Sequence, residues 1–217
     1  MKPQRSRFCG SSSGHQSGGH LFDALRELEF EQSLEIDGQR LRVGLANNAW
    51  QMYQAHLLLE KLHARNGQRS HVRPLCPGLN HAVAVALKVQ PASRSLRAQG
   101  ILVLRRDSHE GLALEQRHLA QLESLRQQGA RLIEIELVAF EEVTQLENLL
   151  HAMIRSLLQS VNDWQATDIL VECPREHAKI YCRRLGFKRC GERGHGNSRL
   201  LLRLSAARLL DRMPRIS

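Results

Sequence analysis

A chain of 217 residues with 42% hydrophobic content can bury a real core and suits one domain with appendages. Aromatics make up only 4%, which excludes an aromatic stacking platform for nucleic acid. The net charge of +9 is local: from Pro174 onward there are 12 Lys/Arg against 3 Asp/Glu, and the preceding 173 residues balance at 19 of each, so that end either meets an acidic partner or is a solvated basic tail.

Residues 1–20 are rich in Ser, Gly, His and Gln and read as a disordered tail, with 21–217 as a single folded domain. The tail has no apolar signal segment, and no later apolar run reaches membrane-spanning length, so a cytoplasmic protein is expected. Asp23–Gln32 has helical leucine spacing (Leu21, Leu25, Leu28) and reads as a short helix or extended arm. Ser33–Leu45 reads as two short strands around Asp37-Gly38. Asn47 or Asn48 caps a helix that runs to about Arg65, and residues 68–80, with Pro74, Pro77 and Gly78, form a loop.

His81–Val89 and Ala98–Arg105 are apolar strands that pair as an antiparallel hairpin. Leu114–Gln128 follows as a helix, with Leu119, Leu122 and Leu125 as its core stripe and Gly129 as its C-cap. The central stretch, Arg131–Phe140, is a near-continuous apolar run carrying Glu134 and Glu136. In a strand both glutamates share one face, while Ile133, Ile135 and Leu137 take the other. A buried carboxylate is costly unless paired or functional; a wet edge strand is the alternative.

Thr144 and Glu147 have capping-box spacing ahead of an amphipathic helix through Val161. Thr167–Cys173 is a short buried strand, Pro174 opens a helix over Arg175–Leu185, and Gly186 ends it. A strand to about Cys190, a polar loop over Gly191–Asn197, an antiparallel partner over Arg199–Leu204 and a helix over Ala206–Arg212 complete the chain. The fold class is α/β, a mixed sheet with helices on both faces. The five cysteines are odd in number and lack C-x-x-C spacing, which points to reduced thiols; Cys173, Cys182 and Cys190 read as buried hydrophobes and no metal site is expected.

Four stretches carry a family likeness: Val171-Glu-Cys-Pro-Arg-Glu-His177 with Ile180-Tyr181 and Leu185-Gly-Phe187; Asp107-Ser108 with Gly111-Leu112; Leu125-Arg126 with Gly129; and Glu134. In order and spacing they resemble the GNAT superfamily, and within it the long-chain N-acyl amino acid synthases and the acyl-homoserine-lactone autoinducer synthases. The resemblance spans roughly Leu41 to Leu210. It implies transfer of a fatty acyl group from a carrier thioester to the amine of an amino acid or similar small molecule. It also implies an acyl carrier protein as donor, with acyl-phosphopantetheine as co-substrate rather than a tightly bound cofactor. Family members often carry Ser/Thr and a basic residue where this chain has Glu136 and Leu137, and an aromatic where it has Ile180.

Aminolysis of a thioester needs a base for the amine, a donor for the oxyanion and a proton for the leaving thiolate. Glu134 is the candidate base, its pKa raised by desolvation and by Glu136; a structural pair with an arginine of a neighbouring strand is the alternative. The resemblance places the oxyanion donor on the backbone of Leu137, Val138 and Ala139, given a bulge there. Tyr181 is the candidate acid or hydrogen-bond donor to sulfur, with His177 on the same helix face as a companion, although a helix Tyr is more often a core residue with a wet tip. Glu141-Glu142-Val143-Thr144-Gln145 lacks glycine and carries two acids where coenzyme-A-dependent relatives cradle a diphosphate, which disfavours acyl-CoA as donor. Arg175, Lys179, Arg183, Arg184, Lys188 and Arg189 form the patch expected to dock an acidic carrier. Leu58, Leu62, Met153 and Leu157 could line an acyl slot, but they are also ordinary core positions and core is the favoured reading. Two rivals stand beside this reading: a degenerate acyltransferase fold kept as a binding or regulatory module, and a basic nucleic-acid-binding protein, which the lack of a recognition motif argues against.

Overall fold

A computed structural model describes residues 29–65, 78–90, 95–141, 144–192 and 199–212. The tail over 1–20, the leucines of 21–28, the prolines of the 68–80 loop and Glu142 lie outside them. An eight-stranded sheet runs in the order β1-β2-β3-β4-β5-β6-β8-β7.

Strands β1 (Glu29–Ile36) and β2 (Gln39–Leu45) form a hairpin. Asp37 (φ 53°) and Gly38 (φ 67°) supply the two left-handed residues that such a tight turn needs. Residues 29–32, read from sequence as the end of a helix or arm, are strand instead. Gln32 explains the difference: its amide donates to the Ala152 carbonyl (2.6 Å) and the Ser156 hydroxyl (3.0 Å), tying β1 across a helix later in the chain. Helix α1 (Ala49–Arg65) is capped by Asn48, whose Oδ1 accepts the Gln51 N–H at 3.1 Å while Gln51 Oε1 accepts the Asn47 N–H at 2.7 Å.

Strands β3 (His81–Gln90) and β4 (Ser95–Arg106) pair antiparallel, and on β3 the alanines face one side and the valines the other. Helix α2 (Glu115–Gln127) buries Leu122 and Leu125 but leaves Leu119 49% exposed. His118 breaks the helical dihedrals (φ −132°, ψ 28°) and takes the inward position instead. Gly129 (φ 81°) closes the helix as expected. Strand β5 (Leu132–Phe140) is followed by helix α3 (Leu146–Asp163), whose apolar stripe from Leu149 to Val161 is buried. No side chain caps α3; Thr144, expected to do so, instead donates to Asp37 in the first hairpin turn.

Strand β6 (Asp168–Pro174) leads to a short helix, α4 (Ala178–Ile180), that widens into a π-helical turn over Tyr181–Leu185 and ends at Gly186 (φ 83°). Helix therefore begins three residues later than expected, at Ala178 rather than Arg175. Strands β7 (Lys188–Glu192) and β8 (Arg199–Ser205) pair antiparallel, β8 lies against β6, and helix α5 (Ala206–Arg212) follows.

Helix α3 covers one face of the sheet together with α4 and α5, burying Ile133, Ile135, Ile169, Val171 and Leu202. The other face carries two smaller cores. One lies under α1 with Val83, Val85 and Ile101, the other under α2 with Leu132, Leu170 and Leu201. No described helix is long and apolar enough to cross a membrane.

Candidate active site

Among the described residues only one pair of neighbouring strands runs parallel. β5 and β6 pair at Leu132↔Asp168, Ile133↔Ile169 and Glu134↔Leu170, and nowhere beyond. Past Glu134 the strands part, so the rest of β5 is hydrogen-bonded on its β4 side while its other edge borders a gap. The β4–β5 register slips at the same place: Leu104 faces Ile135 and Val103 faces Leu137, leaving Glu136 unpaired as a bulge. That extra residue resets the alternation. Leu137 therefore packs on the glutamate face, in the α1 core, and not with Ile133 and Ile135 as simple alternation predicts.

Glu134 is 1% exposed. Its Oε1 accepts the Ala113 N–H at 2.9 Å and its Oε2 the Leu114 N–H at 3.0 Å, so the carboxylate binds the amides that lead into α2. An arginine pair is not what holds it, although Arg105 sits directly opposite on β4. Burial raises its pKa above the ordinary carboxylate range; the two amide bonds work against this, and the Glu136 charge adds to it. Glu136 has a one-third exposed side chain (33%), 3.3 Å from His81 Nε2 and 3.7 Å from Arg105 Nη1. Leu137, Val138 and Ala139, the expected oxyanion segment, are half-buried along the gap.

The motif residues upstream brace this arrangement. Arg126 grips Asp107 through two bonds (2.7 and 2.8 Å) and also pairs with Glu115, whose carboxyl it holds below the usual range. Glu115 in turn accepts the Leu112 N–H at 3.2 Å. Three consecutive amides, 112 to 114, thus end on carboxylates before α2 begins.

Across the gap, on the same face of β6, lies a cluster that sequence reasoning missed. The Glu172 side chain is 4% exposed, takes His118 Nε2 at 3.0 Å and Arg199 Nε at 3.0 Å, and pairs with Arg117. Burial pushes its carboxyl upward, but His118 and Arg117 outweigh it and the net shift is downward. The signal was available: a glutamate inside Thr-Asp-Ile-Leu-Val-Glu-Cys raises the same question as Glu134.

Tyr181 lies in the α3-side core, 8% exposed, with its ring edge-on to Phe187 (5.6 Å, 83°). Burial pushes its phenol up to about 12, so it stays a donor at any ordinary pH. His177 is exposed, unlike Tyr181. Glu134 and Tyr181 thus belong to opposite faces of the sheet, with the gap between them. The six cations Arg175, Lys179, Arg183, Arg184, Lys188 and Arg189 are all exposed on the segment from the end of β6 through α4 into β7. Arg184 reaches Glu147 in the first turn of α3 at 3.1 Å.

Two expectations change, those for Glu141 and for the cysteines, and a third alternative is decided. Glu141 does not present a bare charge at the α3 entrance: Lys61, Arg65 (3.6 Å) and Gln99 (2.9 Å) hold it, and although burial pushes upward its carboxyl is lowered overall. Leu58 belongs to the α1 core and Met153 and Leu157 to the α3 core, as the core reading has it, and the sheet separates them from one another. Of the three downstream cysteines only Cys173 is buried, its thiol pushed up to about 11 by burial. Cavities of about 780 and 680 Å³ lie around His81 and around Asp107 and Arg126. A small wholly apolar one is lined by Ile135, Leu157, Ile169 and Phe187 beneath the parting strands.

A family model described as N-acyl amino acid synthase FeeM matches residues 92–203. No curated protein matches the sequence. Among solved structures the fold is similar to FeeM, an N-acyl amino acid synthase from uncultured soil microbes (TM-score 0.63, 13% identity, 80% of this chain and 94% of that one covered). It is also similar to the AHL synthase LasI (TM-score 0.51, 11% identity, 81% and 91% covered). A probable acetyltransferase from Staphylococcus epidermidis shares the architecture (TM-score 0.50, 10% identity, 76% and 98% covered). The mixed sheet with its parallel junction between β5 and β6 is the GNAT-type fold.

Proposed function

This chain belongs to the FeeM family of N-acyl amino acid synthases and is an acyltransferase, and from that premise we propose that it moves a long acyl group from an acyl-carrier-protein thioester to the amine of an amino acid or similar small molecule. The observation that carries the reading is the gap that opens after Glu134↔Leu170, with carboxylates on one side of the sheet and a cationic corner beside it. An extended phosphopantetheine arm fits along the free edge of β5, where backbone groups of Leu137, Val138 and Ala139 are the candidates to hydrogen-bond the thioester oxygen. The amine approaches from the α1/α2 face. Glu134 supplies a carboxyl more basic than usual, and its oxygens retain lone pairs beyond the two amide bonds. Being almost fully enclosed, it receives a proton through an intermediary rather than from nitrogen directly. Tyr181, on the opposite face, gives its hydroxyl hydrogen to the departing sulfur. Arg175, Lys179, Arg183, Arg184, Lys188 and Arg189 are the proposed footprint of the acidic carrier.

One observation favours a second donor. With Glu141 neutralised by Lys61 and Arg65, cations stand near the α3 entrance, where a diphosphate would lie, so acyl-CoA remains a competing substrate. The experiment is direct. Purified protein is given a long-chain acyl carrier protein or the matching acyl-CoA with a mixture of amino acids, and N-acyl products are read by mass spectrometry. Amide product from the carrier at much lower donor concentration than from acyl-CoA is the expected result. Donor hydrolysis alone, or no turnover with either donor, defeats the reading.

A further inference from the structure

On the α1/α2 face one cross-strand row carries three ionisable side chains. His81 on β3 lies opposite Arg105 on β4, and Arg105 lies opposite Glu134 on β5. Glu136 is lifted out of this row by the bulge and leans back over it, Oε2 toward His81 Nε2 (3.3 Å) and Oε1 toward Arg105 Nη1 (3.7 Å). Arg105 also has Glu110 at 3.9 Å. His81 Nδ1 is buried and has no hydrogen-bond partner among the described residues. A hydrogen on Nε2 lies on the side of Glu136 and leaves Nδ1 as an acceptor, which is less costly to bury bare than a donor.

Two contrasts single out Glu136. Glu134 spends both oxygens on amides and is 1% exposed, whereas among the described residues Glu136 has only long contacts and keeps a third of its side chain open. It also stands two residues beyond the last β5–β6 pair, at the lip of the gap. Resting on the N-acyltransferase reading above, we propose that Glu136 is the catalytic residue that takes the proton from the acceptor amine, with His81 and Arg105 as its positioning residues. An ammonium is drawn to the carboxylate and surrenders one proton to it. The freed nitrogen lone pair attacks the thioester carbon, the C–N bond forms, and the C–S bond breaks. The second nitrogen proton leaves as the tetrahedral species collapses, the thiolate is protonated, and one proton in total passes to solvent. Glu136 is thus the intermediary between the amine and the enclosed Glu134 behind it.

The test uses the full chain, an acyl-carrier-protein thioester, and two kinds of acceptor: a mixture of amino acids, and hydroxylamine, which is largely unprotonated near neutral pH. Glu136→Gln is expected to slow amide formation with amino acids about 100-fold at neutral pH. The deficit shrinks as pH rises, while hydroxamate formation stays within about threefold of wild type and thermal unfolding is unchanged. His81→Ala lowers the amino-acid rate about tenfold with the same sparing of hydroxylamine. Wild-type rates in Glu136→Gln, or equal losses with both acceptors, overturn the proton role alone. A wild-type protein that acylates neither acceptor overturns the N-acyltransferase reading as well.

Discussion

Replacing Glu134 separates its structural role from its chemical one. The carboxylate satisfies two amide N–H groups at the entrance to α2, at 2.9 and 3.0 Å, in a site closed to water. Glu134→Ala leaves both donors bare, at ~1–3 kcal/mol each, or ~4 kcal/mol in the middle of the range. Glu134→Gln keeps one acceptor oxygen but turns an NH₂ toward the other amide, so its cost is ~2 kcal/mol. At ~2–4 °C per kcal/mol for a chain of this size, unfolding midpoints fall by ~8–16 °C for Ala and ~4–8 °C for Gln. The relation to pH has a definite sign. Burial raises the folded pKa, so the native state holds this proton longer than the unfolded chain does. Wild-type stability from this group is full below the ordinary carboxylate pKa and is lost as pH rises through the folded value. The advantage of wild type over Glu134→Gln is therefore greatest in acid and narrows above the ordinary carboxylate range. Differential scanning calorimetry across that range, with acyl transfer measured on the folded fraction, gives both readouts. A Glu134→Ala protein that melts within ~2 °C of wild type refutes the capping role.

Four further outcomes are expected. Glu172→Gln leaves His118, Arg117 and Arg199 without their shared anion and costs ~3 kcal/mol near neutral pH by chemical denaturation. Because the net effect of these partners is to lower the Glu172 pKa, that stability is present above the unfolded carboxylate value and disappears as pH falls through the folded one, so wild type and variant converge in acid. Tyr181→Phe keeps the ring against Phe187, shifts the midpoint by less than ~2 °C, and slows acyl transfer ~10–100-fold if the hydroxyl protonates the leaving sulfur. Reversing charge at Lys179, Arg183 and Lys188 together weakens acyl-carrier-protein binding ~10-fold or more by calorimetry at low salt, an effect that salt erases. Leu157→Trp fills the small apolar cavity beneath the parting strands and shifts product chain length downward in a mass-spectrometric profile of N-acyl products.

Much of this architecture was legible because its signals are local. Asp37-Gly38 demands positive φ, the β3 alternation of alanine and valine has the strand period, and the stripe from Leu149 to Val161 has the helix period. The remainder depends on partners far away in sequence. Leu119 yields the inward position to His118 because a carboxylate on β6 waits there. The slip at Glu136 is a property of two strands in register, so no single stretch announces it, and it reversed the side of Leu137. Glu134 was flagged as an odd carboxylate on a buried strand, but its partners are backbone amides, which leave no mark in a list of residue types. The β5–α3 loop was charged with two acids; one of them finds its cations on α1, some 80 positions earlier.

The sheet can be regarded as two leaves, one of five strands and one of three, bound along a spine only three residue pairs long. Each leaf keeps its own antiparallel ladder, so widening the angle between them disturbs few backbone bonds. The crossing helix α3 lies over the crease on its greasy side. On the proposed long-chain reading, a fatty tail is admitted by flexing the binding, with every page left intact.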